Sequence, residues 1–437
     1  MKRGSRRHLA IPLAALGLSL CACQEASPEI PDLAYHRGRN ALALGRYDWA
    51  RHYFQEDLEA HPDRLESLRG LGVGWISGNE GSLTHSIEAF NAYLERAPDD
   101  PEIRLHLARS WRHLGQRERA LGTLESLPES AETSELRARI LEVSDPDAAE
   151  RHARAALAMQ PDAYNSLLVV ARLAHHRGNG AQALEHAEAA ARADPLQPEA
   201  FYLLARIRRD RGDEADARRD LETYQALRRL PGRGRSSKLS PFEELQALRA
   251  LGPRLNLSAT PLRQRLARLM LATGDPGAAA VIEELLGEPD SDAIALLELA
   301  REAHARARFK LARDLYRRAL EVDPEMKAAR AQLARLEHEA GDRETARRLL
   351  TEGIGADPYH APYHFVTGLL ELAQKREAQA IEAFETALEL APWLASYRLA
   401  LADVYLAAGR REALRHLLER APADDPALSA YRRRHLR

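Results

Sequence analysis

Between residues 361 and 394, apolar side chains recur three and four positions apart in two stretches, Tyr363–Leu372 and Ala378–Glu389, separated by a polar break. That spacing puts them on one face of each of two successive helices. Small residues stand at Gly368, Ala380 and Ala387, where paired helices must cross closely, and Pro392 closes the pattern. Proline has no N–H to offer and collides with the preceding turn, so the second helix stops there. Pro324 and Pro358 precede Pro392 at intervals of 34 residues, each ending a similar run. A fixed period of this length predicts an all-α chain, an α-solenoid of stacked antiparallel helix pairs whose core lies between neighbouring pairs.

The same small, apolar and proline positions recur along most of the chain. Unit 293–326 supplies Ala300, Ala312, Tyr316, Ala319 and Pro324, and unit 327–360 supplies Ala334, Ala346, Leu350, Gly353 and Pro358. Unit 164–197 has Ala171, Ala183, Ala187, Ala190 and Pro195; unit 31–64 has Gly38, Ala50, Phe54 and Pro62, with Asp57 where the others are small. This resembles the tetratricopeptide repeat, which has small residues at positions 8, 20 and 27, an aromatic or aliphatic residue at 24 and Pro at 32. Weaker units at 65–100 and 101–128, with further units at 129–162, 198–230, 260–292 and 395–428, bring the total to about eleven. The resemblance implies a superhelix with a concave face that binds other proteins and no catalytic activity of its own.

One stretch interrupts the period. Pro231-Gly232-Arg233-Gly234-Arg235-Ser236-Ser237-Lys238 reads as a flexible basic loop. Ser240-Pro241-Phe242-Glu243 then forms a capping box with Pro at the first helical position, predicting a helix to about Leu251, stopped by Gly252-Pro253. Residues 231–259 are thus a linker with one helix, joining a first block of repeats, 31–230, to a second, 260–428. The last residues, 429–437, read as a basic tail: solvated, or in weak contact with anionic lipid or protein.

Composition narrows the function more than it identifies it. Hydrophobic residues are 45% of the chain but aromatics only 5%, which suits close-packed Ala- and Leu-rich helices. A net charge of −2 gives no sign of a nucleic-acid binder. Both cysteines, Cys21 and Cys23, lie in the opening segment, leaving none beyond it for disulfides or thiolate chemistry. No cofactor or metal is expected. His338-Glu339 lacks a second histidine at metalloprotease spacing, and the His175-His176 and His360/His364 pairs read as solvated or partner-facing. Gly70, Gly72, Gly74 and Gly78 match no nucleotide fingerprint. Gly72 is the small residue of its unit, and the other three are expected to weaken their helix by about 1 kcal/mol each.

Lys2, Arg3, Arg6 and Arg7 precede an apolar run, Leu9 to Leu20, that is short for a membrane span and reads as a secretory signal. Leu20-Cys21-Ala22-Cys23 resembles the lipobox of bacterial lipoproteins, with Leu three residues before the modified cysteine. Leu20 makes Cys21 a poorer fit. The resemblance implies that 1–22 are a signal peptide, that Cys23 is lipidated, and that 23–30 form a tether. Gln24 in place of Asp implies the periplasmic face of the outer membrane. An ordinary cleaved signal, giving a periplasmic or secreted protein, and an uncleaved anchor are the alternatives.

One polar feature recurs within the repeats. Position 9 holds Arg39, Arg109, Arg172, Arg206, Arg268, Arg301 and Arg335; position 12 holds Arg112, His175, Arg209, His304 and His338. In the family these positions line the concave face, which implies a positive ladder suited to an acidic segment or a protein C-terminus. The opposite reading pairs the ladder internally with acids such as Glu66, Glu102, Glu199 and Glu298. Both stay open at this level. The chain is expected to be a non-catalytic scaffold for protein partners; the alternative is an accessory subunit organising a periplasmic redox or envelope-modifying enzyme.

Overall fold

The computed structural model describes residues 30–77, 82–230, 239–256, 259–288, 292–421 and 425–435. The signal segment, Cys23, nearly all of the tether and the basic loop 231–238 lie outside the described residues. Among the described residues the chain forms 24 α-helices and no strand. Six pairs come first: α1 (Leu33–Ala43) with α2 (Tyr47–Ala60), α3 (Leu65–Ser77) with α4 (Leu83–Leu94), and α5 (Pro101–His113) with α6 (Arg117–Leu124). They continue with α7 (Ala131–Leu141) and α8 (Pro146–Met159), α9 (Tyr164–His176) and α10 (Gly180–Ala193), and α11 (Pro198–Asp210) and α12 (Glu214–Arg229).

A single helix follows, α13 (Pro241–Leu251). Five more pairs begin with α14 (Thr260–Thr273) and α15 (Ala278–Leu286), then α16 (Ala293–Ala305) and α17 (Phe309–Val322). Next come α18 (Lys327–Glu339) and α19 (Arg343–Ala356), α20 (Ala361–Ala373) and α21 (Glu377–Leu390), and α22 (Ala395–Ala407) and α23 (Arg411–Glu419). The last helix is α24 (Pro426–His435).

Local rules explain the period. The helices α17, α19 and α21 end two residues before Pro324, Pro358 and Pro392. A proline drives the residue before it out of the helical region; Asp323, Asp357 and Ala391 accordingly have φ of −131°, −145° and −143°. Most turns within pairs use one left-handed residue, the α7–α8 turn being an exception among the described residues. Gly45, Gly115, Gly178, Gly212, Gly274, Gly341 and Gly409 all take positive φ, and Ala307 (56°) and Lys375 (60°) take it at the same place in their units. Packing uses the small positions as clefts. A Cβ on Gly38 would lie 2.7 Å from the Phe54 ring, and one on Gly368 would lie 2.5 Å from Phe384.

Three details differ from the sequence reading. Gly70 does not merely soften α3: a Cβ there would lie 2.4 Å from Phe54, so the glycine lets α3 close on α2. Asp57, the exception at the small position, is buried and accepts from Ser67 Oγ and Arg64 Nη1, each at 2.6 Å, tying α2 to the start of α3. The basic run at the C-terminus is helical in α24 and docks through Arg432, while Arg433 and Arg434 stay exposed as a solvated run would. Arg432 donates to the carbonyls of Leu418 and Ala421 at the end of α23, and Tyr431 Oη donates to Asp403 at 2.7 Å.

The linker helix α13 belongs to the core. Ser240 caps it, accepting from Glu243 N, while the Glu243 carboxylate accepts from Ser240 N at 2.7 Å. Leu245, Leu248 and Leu251 are buried in the same apolar cluster as Leu227 and Leu230 before them and Leu262 after them. That cluster extends unbroken from Leu167 to Leu370. Arg265 Nε donates to the buried Glu244 at 2.6 Å, fixing α14 on α13.

Candidate interaction surface

The ladder is mostly neutralised from within. Arg109 pairs with Glu132, and Arg172 grips Glu142 with two nitrogens, the Nη2 bond measuring 2.7 Å. Arg268 lies 3.9 Å from Glu298 and Arg335 3.5 Å from Glu339. Arg39 Nη2 donates to Asp357 Oδ2 at 2.6 Å. At position 12, His175 and Arg209 share Asp210 at 3.3 and 3.7 Å, and His304 Nε2 meets Glu339 at 2.7 Å. Arg206, Arg301, Arg112 and His338 have no carboxylate partner among the described residues; Arg112 and His338 are partly buried, with Arg112 Nε and His338 Nδ1 lacking any partner. Burial lowers the pKa of both. Of the acids named from sequence, Glu298 joins the ladder, Glu102 pairs instead with Arg69, and Glu66 and Glu199 form no ion pair among the described residues.

The array closes on itself. The first pair meets the tenth, α20 and α21, across a seam between residues more than 300 positions apart. The buried Asn40 works at both ends: its Nδ2 donates to the Tyr359 carbonyl at 2.7 Å, and its Oδ1 accepts from Ala361 N at 3.0 Å. Arg37 Nε donates to the Glu389 carbonyl at 2.8 Å. His36 lies over Tyr359 with ring centroids 3.9 Å apart. Trp393 stacks on Trp49 at 6.1 Å and tilts against Tyr53 at 5.6 Å. Asp357 is shared by Arg39 and Lys327, each at 2.6 Å. Burial alone would raise the Asp357 pKa, but the bond from Lys327 and the charge of Arg39 outweigh it and hold it below the ordinary value. Burial pushes the pKa of His36 and of His360 down to about 4.

A cavity of about 470 Å³ lies against the seam. One wall is the end of α1, with Arg39, Asn40 and Leu42; the other includes Leu297, Arg301 and Lys327. A second polar cluster, Asp32, Asp57 and His61, has its acids close enough together to hold an ion. Arg64 already donates to both carboxylates, at 2.7 and 2.6 Å, so the cluster reads as an ion-pair knot.

Sequence profiles of the tetratricopeptide repeat match residues 80–140 and 303–365, 141–198 and 177–232, and 361–392. The chain belongs to the tetratricopeptide repeat family. It is a protein–protein interaction scaffold, and proteins of these repeats are generally non-catalytic. No curated protein matches it in sequence. Solved structures similar to it include MamA of Desulfovibrio magneticus RS-1, at 14% identity over 38% of this chain and 95% of that one, TM-score 0.33. PilF of Pseudomonas aeruginosa is 17% identical over 45% of this chain and 96% of its own, TM-score 0.38. Yeast Tom70 is 16% identical over 92% of this chain and 99% of its own, TM-score 0.31.

Within this tetratricopeptide repeat array, Leu297 and Arg301 hold positions 5 and 9 of their unit, and Ala328 and Ala331 hold positions 2 and 5 of the next; all four line the cavity. Those are concave-face positions in the family. The seam residues, by contrast, are invisible to a period-based reading. Asn40 in the first helix of its unit, and Trp49 with Trp393 in a chain of only four tryptophans, are the local oddities that point to them.

Proposed function

We propose that this chain is a lipid-anchored scaffold that holds protein partners against the concave face of its closed array, on the periplasmic side of a bacterial outer membrane. What carries the concave-face reading is the cavity lined by positions 2, 5 and 9 of adjacent units, with Arg301 in its wall free of any carboxylate among the described residues. Arg206 is a second unpaired cation of the ladder. A partner that offers an acidic segment or a terminal carboxylate gains two-point bonds to such guanidinium groups without first breaking internal pairs. The anchor rests on the spacing of Leu20 and Cys23 behind a basic and apolar leader. More than one acyl chain is needed for stable attachment, at about 0.8 kcal/mol per buried CH2. Among the described residues no helix is long and apolar enough to cross a membrane.

The test of the surface is charge reversal of Arg206 and Arg301 together, which leaves the paired arginines intact. Crosslinking in cells should recover at least tenfold less native partner at unchanged helicity; undiminished recovery would sink the concave-face reading. Incorporation of labelled palmitate should vanish in Cys23→Ala, and its persistence would move the anchor elsewhere.

A further inference from the structure

We propose that the seam cavity binds a small carboxylate carrying a short apolar chain, and that this ligand favours the closed form of the array. The proposal goes beyond the holding of protein partners, although it concerns the same cavity and the same Arg301. The first argument is construction. Arg39, Asn40, Leu42, Ala43 and Leu44 come from the first helix pair; Leu297, Arg301, Met326, Lys327 and Ala331 come from the eighth and ninth. The site is complete only when the seam is shut, so a ligand touching both walls binds the closed form and shifts the population towards it.

Charge is the second argument. The lining carries Arg39, Arg301 and Lys327 against Asp357 and Glu325. The Asp357 carboxylate is occupied by Arg39 and Lys327. Glu325 makes no ion pair and Arg301 none, among the described residues, so one guanidinium stands ready for an incoming carboxylate. His360, only 5% exposed, also lines the cavity, and its Nε2 has no hydrogen-bond partner. A neutral imidazole with a spare nitrogen suits the second oxygen of a carboxylic group.

The remaining wall is apolar, from Leu42, Leu44, Leu297, Met326, Ala331 and Pro362, and suits a short aliphatic chain. The volume of about 470 Å³ falls in the range of small-molecule sites, roughly 300–1,000 Å³. Three cations against two acids leave the lining net positive, which disfavours an ammonium head group relative to a carboxylate.

The experiment is calorimetric titration of the purified full-length protein with octanoate, octanol and octylamine, and with a short peptide ending in leucine whose C-terminus is free or amidated. Octanoate should bind saturably at one site, at least tenfold more tightly than octanol or octylamine. Arg301→Gln should weaken octanoate at least tenfold and leave octanol unchanged, with helicity intact. Trp393→Ala, which disturbs the seam but does not line the cavity, should weaken octanoate while increasing the radius of gyration. The assignment is overturned by any of three results: no saturable octanoate binding, equal binding by Arg301→Gln, or tighter binding of the free-ended peptide than of octanoate. The last would make the site a receptor for chain ends. Because none of these readouts involves the native partner, a failure here is distinct from a failure of the scaffold reading.

Discussion

The joint at α13 and the seam between the first and tenth pairs are two breaks in the regular stacking, and they are built in opposite ways. The joint has no repeat of its own but is filled with leucine: Leu245, Leu248 and Leu251 carry the core straight from α12 to α14. The seam is rich in polar bonds and aromatic faces, with Asn40 bonded to two backbone groups, Asp357 between two cations, and Trp393 on Trp49. Apolar burial is non-directional and hard to release locally. Directional bonds between separate stretches of chain hold one geometry and let go together when one is lost. The joint therefore behaves as continuous core, and the seam as a fastening.

The largest effect that would break this contrast comes from the joint. Leu245→Ala with Leu248→Ala removes two buried side chains at about 2–5 kcal/mol each. The calorimetric melt should then split into two transitions, one for each block; a single cooperative transition would show that α13 does not couple them. At the seam, Asn40→Ala leaves the Tyr359 carbonyl and the Ala361 N–H without partners, at about 1–3 kcal/mol each. The array should open, raising the radius of gyration in solution scattering while helicity stays constant. A compact Asn40→Ala variant would remove the fastening from the argument.

Acid should act on the seam before the joint. Above the ordinary histidine value of 6.5, His36 and His360 are neutral whether the seam is open or shut. As pH falls from 6.5 towards about 4, the open form takes up protons that the closed form refuses, so closure weakens steadily through that window. The charged groups around them are mixed: Asp32 and Asp357 favour the proton, Arg39, Arg64 and Lys327 oppose it. Scattering at pH 7 and pH 4.5 should show expansion at the lower value without loss of helix; equal dimensions would contradict it. The smallest effect lies in the turns. Ala307→Gly and Lys375→Gly relieve left-handed strain and should raise the free energy of unfolding by about 0.5–1 kcal/mol each, read in a denaturant melt. No gain at either site would mean that these turns are held by contacts of their side chains.

The period was legible because each repeat solves the same local problem. Gly38 with Phe54 and Gly368 with Phe384 are 16 residues apart, well within one unit. Ladder partners were harder to name, since neighbouring repeats must rotate before an acid faces an arginine. That rotation brings Glu142 to Arg172 and leaves Glu199 outside the ion pairs among the described residues. The seam was illegible for a stronger reason: Asn40 and Tyr359 meet only through the accumulated curvature of nine pairs, which no single unit encodes. Arg432 misled because a run of like charges resembles a solvated tail, whereas its bonds go to carbonyls at the end of α23, a different helix.

Closure also sets a timetable. Neighbouring helices can dock as soon as each pair exists, because their contacts are local and form early. The partners of Asn40 and Trp49 lie at 359–361 and 393, so a growing chain stays open until almost all of it has been made. Through that interval the inner face is exposed to solution, and a partner threaded through it then would be encircled when the last pairs fold.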